Sequence, residues 1–265
     1  MLILGVDTSG KSGSIALVRF DSDNSQAKTF DREGREEQPQ SSQRTTSNTL
    51  EVVSLEGGTF SAELVPQIAA LLQKHSLKKY QIGAFAVVSG PGSFTGLRVG
   101  LAAIKGLAEI LQKPIAAVSL LEVIASEVDL AGTHLPGIGS GSKCLVVMDA
   151  RRKETFVAEY QIGGSLPRLL GEHLLTYGEL AAWAENLGKR TLILTPDEAL
   201  IQLTTSYMKD PFLANFIHVP RPNAATIAPL GWKKIISGHT VTPEALDAGY
   251  IRRTDAEIKL STSRR

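Results

Sequence analysis

Two stretches of the chain carry residue types that could do chemistry. The first is Asp7-Thr8-Ser9-Gly10-Lys11-Ser12-Gly13-Ser14, a carboxylate at the end of a strand-like run followed by hydroxyls and glycines. Such a turn can hold a metal-bound phosphate. A plain turn, with Asp and Ser side chains bonding their own backbone amides, reads equally well. The second is VVSGPGSFTGLRVGLAAIKGLA, residues 87–108, which passes from a strand-like run through a glycine loop into a helix-like run. It does not meet the phosphate-loop pattern, because Leu97 follows Gly96 where a lysine belongs. It does not meet the dinucleotide fingerprint either, because Thr95 takes the third glycine position. Ser93 is flanked by Pro91 and Thr95 where a nucleophile elbow needs glycines. What remains is a tight strand-to-helix turn whose backbone amides could attract an anion.

A turn comparable to the first recurs at Asp149-Ala150-Arg151-Arg152-Lys153-Glu154. It has no glycine, so its backbone cannot wrap a phosphate, although Arg151, Arg152 and Lys153 could approach an anion. Metal chemistry has little support. The histidines at 75, 134, 173, 218 and 239 form no i,i+3 or i,i+4 pair. The carboxylates are scattered, and no acid–base pair can be named from their spacing.

The helix-like run 96–112 is more informative. At ~100° per residue, Arg98, Lys105, Glu109 and Gln112 share one narrow stripe. The other outward positions are apolar or small, whereas an ordinary surface helix has one apolar stripe and a broad polar face. Gly96, Gly100, Ala103 and Leu107 lie opposite the charges, where small residues permit close backbone approach. One flank can meet the chain's own sheet. The other flank (Leu101, Ile104, Ala108, Leu111) needs a second cover, which is either the chain's own second half or another protein.

These stretches must be positioned by an α/β frame. Strands are expected at 2–7, 13–20, about 49–55, 83–88 and 115–118, with helices at 61–75 and 96–112. Leu64, Ile68 and Leu72 set the helical spacing of the first of these, and Pro66 falls early in it. The second half repeats a strand pair (144–150, 154–162) and continues with a helix at 177–186, a strand at 190–195 and helices at 197–208 and 223–237. Residues 21–58 contain a polar stretch that cannot bury enough surface to offset its ordering entropy, and they read as an insertion. The reading is a mixed-sheet α/β chain of two lobes, 1–118 and 119–265.

Composition limits the function classes. Of 265 residues, 28 are Lys or Arg and 27 are Asp or Glu, so a net charge of +1 gives no field that implies nucleic-acid binding. One cysteine, Cys144, allows no internal disulfide and suits a reducing cytosol. The N-terminus enters a strand directly, without a basic leader and cleavage site. No apolar run reaches ~18 residues, so no membrane span is expected.

ILGVDTS at the start, SGPGSFTGLRVGLAAIKGLA, MDARRKETFVAEY and YIRRTDAE occur in that order over nearly the whole chain. Together they resemble the TsaB (YeaZ) family. The resemblance implies a two-lobed actin-like (ASKHA) fold, each lobe a mixed sheet flanked by helices. It also implies a part in forming N6-threonylcarbamoyladenosine in tRNA, as a non-catalytic dimerisation subunit paired with the catalytic paralogue TsaD and working with the ATPase TsaE. ATP and a metal would be held by the partner and no cofactor by this chain. Contact with tRNA would be indirect, and the location cytoplasmic. Family members can also pair with a second copy of themselves, which leaves homodimer and monomer both open for the free chain.

The family's partner interface maps onto helices 61–75 and 96–112. It implies partner contacts at Leu64, Ile68, Leu72, Gly96, Arg98, Leu101, Ile104, Lys105, Ala108 and Leu111. Asp7, Thr8 and Ser9, with Asp149 and Arg151, would be remnants of phosphate loops. The paralogue's metal-binding His-Leu-Glu-Gly-His segment matches Leu120 to Ile124 here, with both histidine positions aliphatic. Aliphatic side chains cannot coordinate a metal. Two other readings compete: an autonomous actin-fold ATPase or small-molecule kinase using Asp7 as the magnesium carboxylate, and a metalloendopeptidase.

Overall fold

A computed structural model describes residues 1–22, 45–130, 141–249 and 251. Much of the polar insertion, part of the Gly/Ser loop before residue 143, and Arg252–Arg253 with the rest of the C-terminal motif lie outside the described residues.

Among the described residues, ten strands form two five-stranded mixed sheets. The first uses β1 (Leu2–Asp7), β2 (Gly13–Ser22), β3 (Thr45–Leu55), β4 (Ala84–Gly90) and β5 (Ile115–Ser119), in the order β3-β2-β1-β4-β5. β1–β2–β3 is an antiparallel meander, while β4 and β5 run parallel to β1. Parallel neighbours need crossovers, and these are supplied by α1 (Phe60–Lys74) before β4 and α2 (Phe94–Leu111) before β5. Every residue of β1 is buried, as expected for a strand covered on both faces.

The second sheet repeats the plan. It contains β6 (Lys143–Arg151), β7 (Glu154–Gln161), β8 (Arg168–Thr176), β9 (Leu192–Thr195) and β10 (Asn215–His218), in the order β10-β9-β6-β7-β8. Its outer face packs on α4 (Tyr177–Leu187) and α5 (Glu198–Ser206). The alternation in β6 records this sidedness. Leu145 and Val147 join the core under α4 and α5, while Cys144, Val146 and Met148 join the core shared with the first sheet. Burial in that shared core pushes the Cys144 thiol up to about 12, so it stays protonated and inert near neutral pH.

Two helices fill the space between the sheets. α3 (Leu120–Leu130) touches β4 and β5 on one side and β6, β7 and β9 on the other. α6 (Ala224–Ile236) lies on β1, β2, β4 and β5 of the first sheet. This corrects a division drawn purely along the chain at residue 118, because the chain returns to the first lobe after finishing the second. The return is close-packed. A Cβ added to Gly5 would lie 2.3 Å from the Ala224 carbonyl oxygen, and one added to Gly231 would lie 2.3 Å from the Ala86 Cβ. Trp232 stacks on Phe20 at 5.4 Å between ring centroids, and Val241 bridges Ile115. Elements α3, β8 and β10 were absent from the sequence reading. The apolar positions Leu120, Leu121, Val123, Ile124 and Ala125 follow directly on the strand 115–118, and so short an apolar run does not by its spacing separate helix from strand.

The β6–β7 hairpin closes through Arg151 opposite Glu154. Arg151, Arg152 and Lys153 all take positive φ, at 61°, 56° and 65°. A two-residue hairpin loop of this hand favours Asn-Gly, and a left-handed L-residue costs roughly 1–2 kcal/mol. Lys153→Gly is therefore expected to raise stability by about 1 kcal/mol, seen as a higher urea midpoint at unchanged slope. An unchanged or lower midpoint would show that the lysine side chain compensates for its own backbone.

Candidate functional site: the buried turn and the open face of the first helix pair

The β1–β2 turn is buried. Asp7, Thr8 and Ser9 are each 3% exposed or less. Ser9 N–H donates to Asp7 Oδ1 at 2.8 Å, and Thr8 Oγ1 donates to the Gly96 carbonyl at 2.7 Å. Ser93 N–H donates to the Ser9 carbonyl at 2.7 Å. Arg221 Nη2 donates to Ser9 Oγ at 3.3 Å, and Ala224 N–H donates to Ser14 Oγ at 2.9 Å. The hydroxyls that could face a phosphate are thus engaged in seating α2 and the start of α6 on the first sheet.

Two glycines of α2 owe their place to this contact. A Cβ on Gly96 would lie 2.0 Å from the Thr8 carbonyl oxygen, and one on Gly100 would lie 2.3 Å from Thr8 Oγ1. No side chain fits such gaps without moving backbone. Gly106 is different. Nothing lies within 4 Å of a Cβ built there, and the residue is exposed. Its cost of roughly 1 kcal/mol against alanine is not repaid by any contact within the described residues.

The predicted partner face needs correction. Leu64, Ile68 and Leu72 on α1, and Leu101 (4% exposed), Ile104 (0%) and Ala108 on α2, are buried in the chain's own core. Gly96 is buried against Thr8, and Leu111 is half-buried against the same core. The second cover that α2 required comes from α1, which packs on it, while both rest on the first sheet. Arg98 is exposed and stacks on Phe94, its guanidinium carbon 3.7 Å from the ring centroid. Lys105 is half-buried and helps hold the Glu244 carboxyl below its usual range, after that residue's own amide and Thr242.

The surface that α1 and α2 do leave open is apolar and low in profile. It carries Val65 (53% exposed), Pro66 and Ala69 from α1, with Ala102, Gly106 and Ile110 (72%) from α2. The sequence held the signal for the α2 positions in the 4-residue spacing of 102, 106 and 110. It was masked because the helix is apolar almost all round. Between this face and the β1–β2 turn lies a cavity of about 300 Å³, bordered by Gly10, Lys11, Gly57, Ser93, Thr95 and Val99.

The second turn is organised separately. Asp149 Oδ1 accepts from Arg151 N–H at 2.9 Å and from the Tyr177 hydroxyl at 3.2 Å, and Asp149 N–H donates to Asp197 Oδ2 at 2.8 Å. Partial burial, then the nearby Asp149 carboxylate, raises the Tyr177 phenol above its ordinary value. The hydrogen-bond partners of this turn and of the Asp7 turn do not overlap. At the stretch matching the paralogue's metal segment, Leu120 and Ile124 are fully buried, and Glu122 pairs with Lys234 at 2.8 Å. Two aliphatic side chains and a carboxylate already neutralised by lysine do not fit a metal ion. Among the described residues no group of three or more His, Cys, Asp or Glu side chains could hold one.

Paired mixed sheets, crossover helices and a returning final helix define a two-lobed α/β protein with the actin-like fold, whose first-strand turn is closed by its own helix. A family model described as "TsaD: tRNA N6-adenosine threonylcarbamoyltransferase" matches residues 57–221. The chain belongs to that family, among its TsaB (YeaZ) members. It is 28% identical to the tRNA threonylcarbamoyladenosine biosynthesis protein TsaB of Bacillus subtilis, over 98% of this chain and 97% of that one. Against the protein of the same name in Escherichia coli it is 26% identical, over 74% of this chain and 82% of that one. The solved structure of YeaZ from Pseudomonas aeruginosa superposes with a TM-score of 0.63 at 23% identity, covering 94% of this chain and 99% of that one, and supports the fold.

The clamp between Thr8 and α2 can be tested by stability. Thr8→Val removes one buried hydrogen bond and should cost about 1–2 kcal/mol. Gly96→Ala forces a Cβ onto a backbone oxygen and should cost more than Thr8→Val, as overpacking of a rigid site does. Thermal unfolding of both variants checks the order. A fully stable Gly96→Ala would refute the close approach.

Proposed function

We propose that this chain acts in the biosynthesis of threonylcarbamoyladenosine in tRNA as a non-catalytic subunit, pairing through the open α1–α2 face with a catalytic paralogue of the TsaD kind and working with the ATPase TsaE. The observation that carries the pairing is Gly106. An exposed mid-helix glycine, set among Ala102, Ala69, Val65 and Ile110, weakens the free helix and repays that cost only when another backbone comes close. Family membership supports the pathway. The non-catalytic part of the reading is supported by the engaged hydroxyls at Asp7-Thr8-Ser9 and by the aliphatic pair Leu120 and Ile124. ATP and metal are then requirements of the partner, with no cofactor held by this chain.

Co-purification with the paralogue, read by size and mass, is the direct test. Val65→Glu and Ala102→Glu place charges on the open face and are expected to abolish a one-to-one complex while leaving the melting temperature of the free chain nearly unchanged. Leu101→Glu and Ile104→Glu bury a charge in the core and should unfold the chain instead. Full pairing by both surface variants would reject this face. ATP turnover by the pure chain, lost in Asp7→Asn, would favour the autonomous ATPase.

A further inference from the structure

The net charge of +1 conceals an uneven placement. β4 and β5 are parallel neighbours, so their starting ends share one edge of the first sheet. The connector from α1 to β4 brings Lys78, Lys79 and Tyr80 to that edge, in and beside a short 3-10 turn, Lys79–Gln81. Lys113, just past the end of α2, leads into β5 at Ile115, whose partner in β4 is Phe85, so it reaches the same edge of the sheet. Lys74 closes the last turn of α1 and pairs with Glu51 at 2.7 Å, and His75 pairs with the other oxygen of the same carboxylate at 2.9 Å. Glu51 is thereby neutralised. Among the described residues, Lys78, Lys79 and Lys113 have no carboxylate within 4 Å. Glu109 is the nearest acid along α2.

An aromatic ring stands among these charges. Tyr80 is 60% exposed, and the Lys78 ammonium lies 6.0 Å from its ring centroid. Helix-end stabilisation accounts for Lys74 and contributes to Lys113. It does not account for Lys78 and Lys79, which precede a strand, or for an exposed tyrosine between lysines. Unpaired ammonium groups meet phosphates, and an exposed ring offers a stacking surface to an unpaired base. An acidic protein would use the charges but has no need of the ring.

We propose that this edge, formed by Lys78, Lys79, Tyr80 and Lys113, contacts the RNA substrate directly: the lysines on the phosphate backbone, and the tyrosine on a base in a loop or end. The proposal rests on the tRNA pathway reading above and revises the expectation that contact with tRNA is only indirect. The edge lies at the C-terminal ends of α1 and α2, so it is not consumed by a partner seated along their outer face.

The test is binding of unmodified tRNA transcript to the full chain, alone and co-purified with the paralogue, followed by fluorescence anisotropy across a salt series. The expected result is salt-dependent binding, weakened about tenfold or more at low salt in the double variant K78E/K79E. The slope of log K against log salt should become shallower by about 2, one unit for each lost phosphate contact. Tyr80→Ala should lower affinity without changing the slope, a separation that general charge loss would not produce. K209E, on the second lobe, serves as the charge control and should bind as the parent does. Equal binding by K78E/K79E and the parent, or no RNA binding by the parent in either form, overturns the proposal. So does a pull-down in which the same lysines hold an acidic protein while RNA does not compete. Pairing is measured on the same samples. A K78E/K79E chain that still co-purifies with the paralogue but has lost RNA supports the edge, whereas a parent chain that binds RNA without pairing sinks the pairing reading and leaves this one standing.

Discussion

A close contact in the first lobe joins the end of β1 to the first two turns of α2, and much else follows from it. Thr8 presses its backbone oxygen against Gly96 and its hydroxyl against Gly100, and that hydroxyl donates to the Gly96 carbonyl. With this contact made, the helix has no choice of depth or rotation. Leu101, Ile104 and Ala108 must face inward, and Ala102, Gly106 and Ile110 must face out. A side chain at either inner glycine would lift the helix and turn the outward face with it. The same contact occupies the Thr8 hydroxyl, the first hydroxyl of the β1–β2 turn.

The glycines of the sequence therefore divide into two kinds that look identical in the string. Gly96 and Gly100 are required by contacts inside the chain, while Gly106 meets nothing there. Reading the helix as apolar on both flanks correctly implied two covers. It misassigned them, because periodicity shows how many faces are apolar but not which neighbour covers each. α1 supplies the second cover, so Leu64, Ile68, Leu72, Leu101, Ile104 and Ala108, named as partner contacts, are core, while Arg98 is exposed and Lys105 half-buried. The smaller residues between them form the surface.

Elsewhere, legibility followed pattern strength. The β1–β2 hairpin, β4, α2 and the β6–β7 pair were plain from alternation, glycine turns and helical spacing. α3 was missed because its apolar start, Leu120 to Ala125, runs on from β5 and is too short for its spacing to tell helix from strand. β8 was missed because Arg168–Thr176 is an edge strand with a largely exposed, irregular pattern. The return of α6 to the first sheet could not be read at all, since it depends on Gly5 and Gly231 meeting partners more than 100 residues away in sequence. Net charge, likewise, could not disclose that Lys78, Lys79 and Lys113 precede neighbouring strands, because strand order decides that.

The Glu122–Lys234 pair shows how the same frame accommodates a different interior. Glu122 begins the helix lying between the two sheets, and Lys234 comes from the helix that returns to the first of them. The side chains are only 12% and 18% exposed, so neither charge is well hydrated. Removing one partner would strand the other, a change that typically costs 3–5 kcal/mol, more than the pair itself contributes. The lysine is thus committed to the glutamate, and the flanking Leu120 and Ile124 fill the adjoining space with hydrocarbon. A position that could have carried a charged centre is instead neutralised and packed. It becomes a fastening between α3 and α6, and α3 in turn packs on both sheets.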